Sequence, residues 1–92
     1  MASSKAALAK FGIWKKSRTV LRLTMVTKDG KPEMFTGEIT ALDLDLCLLC
    51  FMPKGTRDFF TLDLDGAIFR IGKRKLEAER EGNILSFEQT TA

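Results

Sequence analysis

From Thr19 to Val26 the chain alternates, with Leu21, Leu23 and Met25 on one side and Arg22 and Thr24 on the other. That period of two predicts a half-buried strand. Four more runs follow. Glu33 to Leu42 places Phe35, Gly37, Ile39 and Ala41 on one side, and Leu46 to Met52 is nearly all apolar. Arg57 to Leu64 turns Phe60, Leu62 and Leu64 inward, and Ala67 to Ile71 is a short fifth strand. Lys28-Asp-Gly-Lys-Pro32 separates the first two runs, and its Asp29-Gly30 is the strongest local hairpin signal in the chain. Pro53-Lys-Gly55 and Asp65-Gly66 punctuate the later ones. Residues 3–16 follow a different period: Ala7, Leu8, Phe11 and Trp14 recur at helical spacing, with Ser3 or Ser4 placed to cap. Gly12 weakens that helix by ~1 kcal/mol relative to Ala, so a short or frayed end is expected. Trp14 reads as a core anchor.

One helix followed by five short strands predicts a mainly β protein. A sheet this small must curl to cover its apolar face, and the helix can plug one open end. Gly37, inside a strand, marks a sharp bend or a close approach of backbones. The expected architecture is an N-terminal helix plus a five-stranded, strongly bent SH3-like barrel over residues 1–75. Residues 76–92 are expected to be a polar, partly disordered C-terminal tail, in which Ile84, Leu85 and Phe87 form at most a last strand or patch.

Ninety-two residues make one domain, one that buries roughly 60–65% of its unfolded surface. The net charge of +3 hides a segregation. Residues 1–32 carry eight Lys/Arg and one acidic residue, Asp29, whereas residues 33–65 carry two basic and seven acidic residues. A further basic cluster holds Arg70, Lys73, Arg74 and Lys75. A basic N-terminal segment is either a phosphate-facing surface or a solvated helix face. No apolar run reaches the ~20 residues that cross a membrane, and Lys5 and Lys10 interrupt any secretory core, so a cytoplasmic protein is expected.

Cys47 and Cys50 have C-x-x-C spacing. On a strand, positions three apart point to opposite faces, and the flanking Leu46, Leu48, Leu49 and Phe51 favour a strand. Zinc requires four ligands, and the chain has no His and no other Cys. Structural, reduced cysteines are expected, with no metal and no cofactor.

The run Gly37-x-Ile39-x-x-Leu42-Asp43-x-x-Leu46-Cys47-Leu48-Leu49 resembles the first signature of Sm-like proteins, most closely that of the bacterial RNA-chaperone branch. Leu64-Asp65-Gly66 with Ile68 resembles a degraded second signature. The similarity spans roughly residues 4–72. It implies a homo-oligomeric ring of about six or seven subunits, in which the fourth strand of one subunit pairs with the fifth of the next. Few charges guard Phe59-Phe60-Thr-Leu62 or Ala67-Ile-Phe69 against such pairing. The resemblance also implies binding of single-stranded, often uridine-rich RNA in loops that open at Asp43 and at Gly66. The implied pocket positions are Asp45 for stacking, Cys47 for reading the base edge and Asp65 for a basic contact. None suits its role: Asp45 offers no ring, Cys47 is a weak hydrogen-bond partner, and Asp65 reverses the charge. The chaperone branch uses a second signature with Lys and His, and this chain has no His. The usual uridine pocket is therefore expected to be absent.

Asp43, Asp45 and Asp65 would crowd one rim, where phosphate is repelled. Divalent-cation binding is one reading of that rim; solvated turn aspartates are the plainer and preferred one. Asp63 is expected to face solvent. Nucleic acid, if bound, is expected on the helix face that carries Lys5, Lys10, Lys15 and Lys16, with Arg18 and Arg22 nearby, and secondly at Lys73, Arg74 and Lys75. Such contact is salt-sensitive and weakly sequence-specific. The alternative is a ring-forming interaction or assembly module without nucleic acid. An enzyme ranks last: the chain has no His and no Tyr, and shows no phosphate-cradling loop and no recognisable nucleophile–base pair.

Overall fold

The computed structural model describes residues 4–90. One helix, α1 (Ser4–Ser17), precedes seven strands: β1 (Leu21–Val26), β2 (Glu33–Asp43), β3 (Leu48–Pro53), β4 (Phe60–Asp63), β5 (Ile68–Ile71), β6 (Lys75–Arg80) and β7 (Asn83–Gln89). All pairs are antiparallel, in the order β4-β3-β2-β1-β7-β6-β5. The protein is thus mainly β, as the alternation predicts, but with seven strands where five were expected. The supposed tail supplies the other two. Leu76, Ala78 and Phe87 are buried in the core, so residues 75–89 belong to the folded unit. Ser3, one of the two expected caps, lies outside the described residues.

The connectivity dictates the shape. β4 and β5 are the two ends of the sheet, yet only residues 64–67 join them. Laid flat, six strand spacings of ~4.8 Å would separate those ends by about 29 Å. Four linking residues reach at most about 17 Å. The sheet must therefore curl, and inward residues from both ends, Leu62 and Phe69, meet in one core with Phe11, Leu21, Leu23, Leu49, Phe51 and Phe87. The end strands are not hydrogen-bonded to each other, so the sheet remains open. At the corner, Ala67 N–H donates to Leu64 O at 3.1 Å, and Gly66 takes a left-handed φ of 76°.

The helix covers the core with Ala7, Phe11 and Trp14, a spacing that fills one face. Phe11 meets Phe87 edge to face at 4.9 Å. The helix runs unbroken through Gly12 and ends at Arg18, which is left-handed (φ 53°), while Thr19 N–H donates to Trp14 O.

Gly37 earns its place by close approach. It pairs with Leu21 on one side and Pro53 on the other. A Cβ there would collide with the Met52 carbonyl oxygen and stand 2.8 Å from Pro53 Cα. Three residues on, the register between β2 and β3 shifts between Ile39 and Ala41. This bulge reverses the phase of the strand. Ala41, expected inward, is exposed, and Leu42 packs against the core instead. The Asp29-Gly30 segment does join a hairpin, but through a loop longer than two residues: pairing resumes at Met25↔Glu33.

Candidate functional site

The bulge and the helix together make a groove. Lys5, Leu8, Ala9, Gly12, Lys15 and Lys16 recur every three or four residues and form one flank of α1, beside the buried stripe. Leu42, Leu44 and Cys47, from the end of β2 and the β2–β3 turn, form the facing wall. The open space between them is about 840 Å³, with Ser4 at one end. Its floor is apolar, its charged groups are lysine ammonium groups, and no acidic residue lines it.

The β2–β3 turn is fixed by its first residue. Asp43 Oδ1 accepts the backbone N–H groups of Asp45 and Leu46, both at 3.0 Å. This local bonding is the ordinary role of a turn aspartate. The turn closes with Cys47 in the left-handed region (φ 54°), and Leu64 N–H donates to Cys47 O at 2.8 Å. The loops holding Asp43, Asp45 and Cys47, and Asp65 and Gly66, therefore lie side by side. Asp63 accepts from Asp65 N–H at 3.0 Å and pairs with Arg80 at 3.4 Å. Among the described residues no three His, Cys, Asp or Glu side chains converge as a metal site. Cys47 packs against the core, whereas Cys50 points to the outer face, 3.8 Å from Thr61 Oγ1; both are free.

The basic residues singled out from the sequence do not form one face. At 100° per residue, Lys5, Lys15 and Lys16 lie roughly 120–140° around the helix from Lys10. Lys10 turns to the other flank, where its Nζ donates to Lys73 O at 2.9 Å and sits 5.0 Å from the Trp14 ring centroid. It ties the helix to the β5–β6 turn, which carries Lys73 and Arg74. Arg18 pairs with Glu38 at 3.3 Å, and Lys75 with Glu77 at 3.5 Å. Arg22, Arg70 and Arg80 also have acidic partners. Lys5, Lys15 and Lys16 have none among the described residues. Pattern reading missed Leu42, Leu44 and Gly12 as groove residues. The helical ones were legible as a second stripe beside Ala7, Phe11 and Trp14, but the strand ones required the bulge.

No helix among the described residues is long and apolar enough to cross a membrane. Comparison of the chain with protein-family models, curated proteins and solved structures finds no match. The likeness to Sm-like proteins rests on the motif of residues 37–49 and the corner at residues 64–68 alone.

Proposed function

We propose that this protein is a non-enzymatic binding module for single-stranded nucleic acid, and that the strand lies along the groove between α1 and the β2–β3 turn. One observation carries the reading: Lys5, Lys15 and Lys16 surround an apolar hollow with no acidic partner among the described residues, while four arginines and Lys75 are held in ion pairs. Unneutralised lysines supply backbone affinity through counterion release. The apolar floor offers cover for an unstacked base but no aromatic ring, so little sequence preference is expected. One wall is the β2–β3 turn, a loop implied by the Sm-like resemblance, but the cations come from α1 rather than from the loops.

The test is fluorescence anisotropy with a labelled single-stranded RNA across a salt series. Three phosphate contacts give a slope of log K against log salt of about −2. The triple variant K5E/K15E/K16E should lose binding; unchanged affinity in that variant ends the proposal.

A second reading has its own observation. β4 and β5 stand at the free ends of the sheet, with Phe59 59% and Ile68 51% exposed beside or within them. Unpaired, weakly guarded edges favour strand-to-strand assembly. A ring joined β4 to β5, as the Sm-like resemblance implies, would appear in light scattering as six or seven chain masses.

A further inference from the structure

The β2–β3 turn is an apolar crest between two hollows of opposite charge. On its α1 side lies the lysine groove. On the outer face of the sheet lies a second hollow of about 640 Å³, whose walls include Ala41, Asp43, Leu44, Asp45, Leu48 and Cys50. Leu44 lines both. No basic residue lines the second hollow and no acidic residue lines the first. On the crest, Leu44 is 63% and Leu46 61% exposed. The aspartates nearby are not equivalent, and only Asp43 and Asp45 line this hollow. Asp43 is committed to its turn and Asp63 to Arg80, whereas Asp45 has no cationic partner among the described residues.

We propose that a second copy of this chain docks here about a two-fold axis near Leu44, so that Asp45 of each copy enters the Lys5–Lys15–Lys16 groove of the other. A two-fold contact requires a surface that complements itself. A patch whose charge divides across an apolar centre meets that requirement. Rotation by half a turn lays each acidic hollow on the opposite basic groove, and Leu44 and Leu46 leave water together. The patch is small, so the contact belongs to the weak, transient class. It concerns the same lysines as the proposed function, where the partner's carboxylate takes the place of a phosphate. Self-association and strand binding therefore exclude one another.

Sedimentation velocity on the full chain over a concentration series at low salt tests this. The expected species is a monomer in equilibrium with twice the 10.3 kDa chain mass. D45K and K16E should each weaken the dimer by roughly tenfold or more, because each sets like charges together. The double variant K16E/D45K should recover most of that loss, a result that misfolding cannot produce, and Leu44→Asp should abolish the dimer. A chain that stays monomeric at every concentration, a mass of six or seven chains, or a double variant no better than the singles overturns the proposal. Adding single-stranded RNA separates this inference from the proposed function. A dimer that obeys the charge swap but ignores RNA keeps the inference and removes the nucleic-acid reading; RNA binding by a chain that never pairs does the reverse.

Discussion

Replacing Phe87 by Ala measures how far the C-terminal hairpin holds the fold. Phe87 is fully buried, lies between Leu23 of β1 and Leu76 of β6, and stacks edge to face on Phe11. It is thus the point where the sheet's two halves and the helix meet. Removing a core phenylalanine costs about 3–5 kcal/mol, and the lost ring pair places this site toward the upper end of that range. A chain of 92 residues has a total stability of about 5–14 kcal/mol. The substitution therefore takes between a third and nearly all of it. With a urea slope of about 1 kcal/mol/M for a small domain, the unfolding midpoint should fall by about 4 M, or the variant should be unfolded in buffer. Fluorescence of Trp14, buried in the same core, reports the transition. Glu88→Gln, one residue along on the outer face, serves as the control and should stay within about 0.5 kcal/mol of the parent. A loss below about 1 kcal/mol for Phe87→Ala, well under the range for core phenylalanines, would refute the placement of residues 83–89 inside the sheet.

Gly37→Ala should destabilise by more than ~2 kcal/mol in urea unfolding, because its Cβ collides with the Met52 carbonyl and β3 must move; a neutral result would contradict the close strand approach. Glu81→Asn should raise the urea midpoint by the equivalent of ~0.5–1 kcal/mol: Glu81 (φ 53°) and Gly82 (φ 83°) form the two-residue loop between Arg80 and Asn83, where Asn-Gly is the favoured pair. Gly12→Ala should raise the melting temperature through a gain of up to ~1 kcal/mol, since nothing stands within 4 Å of the added Cβ; a drop would mean that the helix needs glycine there.

The first five strands and the helix were legible because their apolar residues either keep a period, as in β1 and α1, or form short continuous runs, as in β3, bounded by glycine, proline or aspartate. The helix was fully readable in Ala7, Phe11 and Trp14. The last two strands were not. In Lys75–Arg80 the inward positions are Leu76, Ala78 and Arg80, so a small residue and a charged one occupy two of three places. The loop that follows is Glu-Gly, which carries only the second half of the usual Asn-Gly or Asp-Gly hairpin signal. Ala41 and Leu42 show the other limit. A bulge adds one residue to one strand, and the phase beyond it follows from pairing rather than from local pattern. The lysines were visible as charge, and helical periodicity already divides them between two flanks of α1; that Lys10 is engaged by the Lys73 carbonyl, 63 residues away in sequence, was not legible.

The position of β7 has a consequence for how the chain is made. It is synthesised after the six other described strands, yet it sits between β1 and β6. On the ribosome, β1 to β4 emerge first with one flank of β1 left bare, and that hairpin array holds only part of a core. The closing event must wait until residues 83–89 clear the exit tunnel. Pairing across so long a stretch of chain is intrinsically slow. Until that strand arrives, β1 exposes an unpaired edge, and its closure by β7 is the long-range contact that completes the core.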